Sequence, residues 1–170
     1  MDFLEALVAR IMKFAGDTGI GVSSNPSDKT WFLTMGDVRQ HLKIRNGAFV
    51  LGVSHRGQPE NDVFVTSLAS NMEKYLLYQI CMNARFSKNL PLLLTVPIPV
   101  TREKVAPGFV LTGHGRNSQL IDQHTGAISF GNDVDLVEFS HYAALTPDDL
   151  VEACLAPHGK SPFFVEDSNI

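Results

Sequence analysis

At 170 residues, with 44% hydrophobic and 19% charged side chains, the chain is long enough to bury a core and ordinary in composition for a globular protein. A net charge of −4 argues against a nucleic-acid partner read over the whole surface. The only cysteines, Cys81 and Cys154, form no CxxC pair and no disulfide framework, so a reducing, cytoplasmic location is expected. The opening "MDFLEALVARIMKFAG" carries Asp2 and Glu5 where a signal peptide would be basic, and no apolar run is long enough to span a bilayer. No membrane partner is expected.

In chain order, Phe3, Leu4, Leu7, Val8, Ile11, Met12 and Phe14 recur at helical spacing, predicting an amphipathic helix capped by Asp2 and ended near Gly16. A turn-rich connection with one short strand follows. "TWFLTMGDVRQHLKIRNGAFVLGVS" then holds two hairpin turn pairs, Gly36-Asp37 and Asn46-Gly47. The second turn pairs Ile44 with Phe49, Leu42 with Leu51 and Gln40 with Val53. The first pairs Met35 with Val38, Leu33 with Gln40 and Trp31 with Leu42. Both registers put Trp31, Leu33, Met35, Val38, Leu42, Ile44, Phe49, Leu51 and Val53 on one buried face. "DVFVT" is a fourth strand. The other face carries Arg39, His41, Lys43 and Arg45 in alternation, either a binding stripe for an acidic partner or a solvated, salt-bridged sheet face.

"SLASNMEKYLLYQICMNARFSKN" predicts a second long helix, with Ser70 and Glu73 at capping-box spacing or a start at Ser67. Leu68, Met72, Leu76, Leu77, Ile80, Cys81 and Ala84 form its core row, and Arg85 and Lys88 suit its negative end. A buried strand is expected within 92–96, then an irregular loop over 97–108 stiffened by Pro97, Pro99 and Pro107. Strands over 109–112 and 118–122 follow, with "AISFGN" as hairpin partner. "TGHGRN" lacks the following helix that a phosphate loop needs and reads as a polar hairpin tip.

"VEFSHYAALTPDDLVEACL" raises a hydrolytic reading through Ser140, His141, Asp148 and Asp149. Thr146-Pro147-Asp148-Asp149 has the order of a helix start, which employs both acids structurally. Ser140 and His141, as neighbours on an expected strand, would point to opposite faces, and no GxSxG elbow is present. No catalytic residue is assigned. The scattered histidines include no H-x-x-x-H pair, so neither a metal site nor a cofactor is expected.

The C-terminal half, with Leu90-Pro91 after a long helix, Ala106-Pro107-Gly108-Phe109 opening a strand, a hairpin over 120–129, Val137, Ser140-His141-Tyr142, Asp149-Leu150 and Pro157-x-Gly159, resembles the actinobacterial toxin-immunity family of the immunity factor for tuberculosis necrotizing toxin. Phe109 stands where many relatives have tyrosine. The resemblance implies an antitoxin that binds a secreted NAD-glycohydrolase toxin domain one-to-one and blocks its NAD cleft. A secretion chaperone for an exported effector is the alternative. The expected fold is a single α+β domain over residues 1–170. Its antiparallel meander packs on amphipathic helices, and a C-terminal hairpin and short helix complete it.

Three surfaces are candidates for toxin contact. The first is the proline loop, through Pro97, Ile98, Pro99, Arg102, Glu103 and Lys104, unless the loop is a plain connector. The second is the hairpin tip, through His114 and Arg116. The third is the basic stripe, through Arg39 and Lys43.

Overall fold

Two turns set the sheet. In this computed structural model, which describes residues 3–15, 19–25, 27–55 and 58–165, Asn46 (φ 53°) and Gly47 (φ 77°) both take positive φ between β3 (Val38–Arg45) and β4 (Ala48–His55). That twist matches the strands it joins and fixes Leu42 opposite Leu51 and Ile44 opposite Phe49. Gly36 (φ 60°) turns β2 (Thr30–Met35) into β3, with Trp31 opposite Leu42 and Leu33 opposite Gln40. Both registers are those the sequence predicts.

β1 (Gly21–Asn25) adds to β2, and β5 (Asn61–Thr66) to β4. β6 (Phe109–Thr112), β7 (Ser118–Asp122) and β8 (Ile128–Gly131) form the second group. β8 pairs with β5, so one antiparallel sheet of eight strands runs β1-β2-β3-β4-β5-β8-β7-β6.

Helices α1 (Phe3–Ala15), α2 (Ala69–Ser87), α3 (Asp133–Tyr142) and α4 (Pro147–Leu155) complete the α+β fold. Leu4, Leu7, Val8 and Ile11 of α1 share one core with Leu33, Leu42, Leu51 and Phe64 of the sheet. Aromatic rings tie the layers together. Phe64 stacks on Tyr75 at 4.1 Å, Phe139 lies edge-on to Phe64 at 5.1 Å, and Tyr78 stacks on Tyr142 at 4.7 Å.

Several local expectations are corrected. Ser140 and His141 lie on α3, not on a strand. Asn132 caps that helix by accepting from the Asp135 N–H at 3.0 Å. Leu136, Val137, Phe139, Ser140 and Tyr142 are all buried, so α3 shows no clean apolar stripe to mark it as helical. The Ser70–Glu73 capping box does not form. Leu68 is the cap residue of α2, its own N–H bonded to Thr66 Oγ1, and Glu73 pairs with Arg10 of α1 at 3.0 Å. The expected strand in 92–96 shrinks to a single bridge between Leu94 and Phe164. Near the end of β3 Ile44 is exposed, as is Met12 on α1, whereas Gln40 is buried between its partners Leu33 and Val53. Thr146 caps α4 and Pro147 opens it, as predicted. The proposed cap Asp2 and stop Gly16 lie outside the described residues.

Arg85 is no solvated helix-end cation. It is 1% exposed. Its Nε and Nη2 donate to Pro91 O at 3.0 and 2.8 Å, and Nη2 also donates to Pro157 O at 2.9 Å. Nη1 donates to Cys154 O and Ala156 O at 2.8 and 2.6 Å. Every guanidinium N–H is used, and three of the four acceptors are carbonyls at the negative end of α4. We expect Arg85→Met to lower stability by about 3 kcal/mol or more, since the carbonyls lose the guanidinium that bonds them. Arg85→Lys should recover part of that loss. Urea unfolding checks both, and a loss below about 1 kcal/mol for Arg85→Met would contradict this role.

Burial raises the pKa of Asp135 and of Glu138, and for Glu138 the neighbouring Asp135 charge adds to it. Tyr75 and Tyr78 interact electrostatically with the same two carboxylates. Between the ordinary carboxyl range and the raised values, the folded state holds more protons than the unfolded state. Stability therefore falls as pH rises through that window. Glu138→Gln should stabilise at pH 7 by up to about 1 kcal/mol, with solvent screening included, and the gain should vanish below the ordinary carboxyl range. Thermal melts across pH measure it.

Candidate functional site

The alternation of side chains puts Leu33, Leu42, Leu51 and Phe64 toward the helices and, among the described residues, leaves the other face of the sheet without a helical cover. That second face carries Arg39, His41, Lys43 and Arg45 on β3. Their neighbours are Phe32 on β2, Ser54 on β4, Val65 on β5, Phe130 on β8 and Gln119 on β7.

Most of the basic stripe is neutralised from within. Lys43 Nζ donates to Glu60 Oε1 at 2.7 Å, and Arg45 pairs with Asp62. His41 Nδ1 lies 3.4 Å from Glu60 Oε2, and its Nε2 lies 2.7 Å from the Ser54 hydroxyl. With the Nδ1–H toward the carboxylate, Nε2 accepts from Ser54. Burial lowers the His41 pKa, the Glu60 charge pulls it back up, and the Lys43 and Arg39 charges push it down. Among the described residues Arg39 has a ring and not an acid for a partner, its guanidinium lying 5.5 Å from the centre of Phe32.

Glu60 reaches across the sheet because residue 52 is glycine. A Cβ there would lie 2.7 Å from Glu60 Cγ. A glycine inside a strand marks such close approaches, and this was the signal in the sequence for Glu60.

A second hub joins the other two candidate surfaces. Asp133 accepts from the Ser118 hydroxyl and from Arg102 Nη1 at 2.7 Å, and the Gly115 N–H also bonds to it. The Ser118 bond first, and then Arg102, hold its carboxyl below the usual range. Arg102 Nη2 also donates to Leu111 O at 3.3 Å. The 97–108 loop and the hairpin tip are thereby fixed to the start of α3.

The loop is tied at four further points. Lys104 Nζ donates to Pro97 O and Pro99 O at 2.7 and 2.8 Å. The His141 Nε2–H donates to Lys104 O at 2.7 Å, and the Ala106 N–H donates to Ser140 Oγ at 2.9 Å. Ser140 in turn donates to Val137 O, so neither it nor His141 is arranged as half of a nucleophile–base pair.

Of the residues singled out from the sequence, Pro97, Ile98, Pro99, Glu103, His114, Arg116 and Arg39 are exposed, whereas Arg102, Lys104 and Lys43 are partly buried in structural bonds. Two depressions meet at the sheet end near the tip. One, lined by Gly36, Arg39, Ser54, His55 and Gln58, measures about 410 Å3. The other, lined by His55, Gln58, Asn61, Arg116 and Asn132, measures about 350 Å3. A third, of about 630 Å3, continues over Val65, Gln119 and Phe130. Among the described residues no cluster of three His, Cys, Asp or Glu side chains could hold a metal ion, and no helix is long and apolar enough to cross a membrane.

The model of the family described as Immunity protein 61 matches residues 14–162. The chain belongs to that family. Its fold is similar to that of Rv3902c from M. tuberculosis, with a TM-score of 0.78 over 92% of this chain and 93% of that chain, at 22% identity. At that identity the likeness is one of fold. No curated protein matches the sequence. Membership in the Immunity protein 61 family supports a toxin-immunity role.

Gly52→Ala should displace Glu60 and leave His41 with burial and two nearby cations as its only influences. The His41 pKa should then fall further below its ordinary value, with a stability change under about 1 kcal/mol. Proton NMR titration of the imidazole reads the shift, and an unchanged or raised value would contradict the Glu60 contact.

Proposed function

We propose that this immunity-family chain binds a secreted NAD-glycohydrolase toxin domain in the producing cell's cytoplasm, one-to-one, and occludes its NAD cleft. Family membership carries the toxin-immunity part. The NAD-glycohydrolase target follows from the resemblance of the C-terminal half to the immunity factor for tuberculosis necrotizing toxin. In the structure, the residues of that resemblance brace the loop. Ser140 holds Ala106, and His141 holds Lys104.

Ile98, between Pro97 and Pro99 and 58% exposed, is the side chain such a loop would offer to a cleft. Because the loop is held before binding, little ordering entropy is lost on contact. Arg102 and Lys104 would then act by fixing its shape more than by touching the toxin.

Mixing the chain with an NAD-glycohydrolase toxin domain tests the reading. NAD cleavage should stop at an equimolar ratio, and Ile98→Asp should weaken inhibition while leaving the melting temperature unchanged. A complex that leaves NAD cleavage intact would favour the secretion chaperone.

A further inference from the structure

Internal pairing sorts the positive charges of the uncovered face. Lys43 and Arg45 are neutralised there by Glu60 and Asp62, and, in the 97–108 loop, Arg102 by Asp133. Arg39 and Arg116 are both exposed, and among the described residues neither has a carboxylate partner. They stand on either side of the two depressions that meet at His55 and Gln58. Arg116, in the turn Gly115–Asn117 that leads into β7, lines its depression together with His55 of β4 and Asn61 of β5. Phe130, 40% exposed, shares the third depression with Arg116.

We propose that this end of the sheet is the specificity surface for the toxin: Arg39 and Arg116 each take a carboxylate of the partner, and Phe130 takes an apolar side chain beside the second. This rests on the toxin-binding reading and deepens it, because it assigns the charge recognition to two residues. The occupant is a folded protein surface with two acidic groups, one for each of the adjoining depressions. Cations already paired would have to give up an internal carboxylate to bind an external one, so they gain little. Arg39 and Arg116 have no such contact to surrender, and an exposed aromatic beside an arginine has the composition of a binding hot spot.

The experiment is calorimetry and NAD-cleavage inhibition with the same toxin domain, using Arg39→Glu, Arg116→Glu, the double variant and Phe130→Ser. Lys43→Gln serves as the comparison. Each reversal should weaken Kd at least about tenfold and make it less sensitive to salt, with melting temperatures unchanged. The comparison variant should bind within about threefold of wild type. Wild-type inhibition that survives the double reversal overturns this assignment and leaves the toxin reading standing.

A wild-type chain that neither binds nor inhibits overturns the toxin reading instead. Titration with polyaspartate, followed through the arginine side-chain NMR signals, then decides the charge assignment. Shifts at Arg39 and Arg116 that vanish in the reversed variants support an acidic-surface site. Shifts elsewhere, or none, overturn it.

Discussion

A positive charge buried without a carboxylate is stable only where dipoles replace the solvent, and Arg85 meets that condition through backbone alone. Cys154, Ala156 and Pro157 supply carbonyls from the end of α4, and Pro91 from the chain leaving α2. One side chain thus sets the angle between two helices and fixes where the chain goes next. Beside it, Cys81 of α2 and Cys154 of α4 are buried free thiols that share a hydrogen bond. The bridge between Leu94 and Phe164 and the stacking of Phe163 on Tyr78 both lie downstream of that geometry.

From that junction the order passes to the surface in a few steps. Tyr78 and Tyr142 join α2 to α3, and Lys74 donates to Ala143 O at the end of α3. α3 in turn presents Asp133, Ser140 and His141 to the 97–108 loop. The loop therefore inherits its position from the core. This explains how a segment with so little regular structure can have a defined shape: each of its contacts with α3 uses a backbone group or a charge that would otherwise need water.

What the sequence made legible was whatever depends on local chemistry. Asn46-Gly47 and Gly36-Asp37 determine hairpin registers through backbone twist alone, so the meander could be read strand against strand. Thr146-Pro147 determines a helix start in the same way. α3 was hidden because a helix buried on most sides loses its period, and "VEFSHY" has the β-branched and aromatic density of a strand. Arg85 was hidden because its acceptors lie six to seventy-two residues away and are backbone atoms, which leave no trace in side-chain spacing. The basic stripe was visible as a pattern, but Glu60 and Asp62, which decide what it can do, sit across β4 from it.

The two faces of the sheet answer different physical demands. On the helical face, burial selects shape, and a single misplaced polar group would be expensive. On the uncovered face, the same strands are stabilised by cross-strand charge pairs worth little individually, so that surface can vary in sequence without endangering the fold. A chain that must match one particular partner gains from that separation. The scaffold that holds the loop and the hairpin tip is fixed by Arg85, the aromatic column and Asp133. Recognition can then be tuned at exposed positions such as Arg39, Arg116 and Phe130, whose replacement leaves every one of those contacts in place.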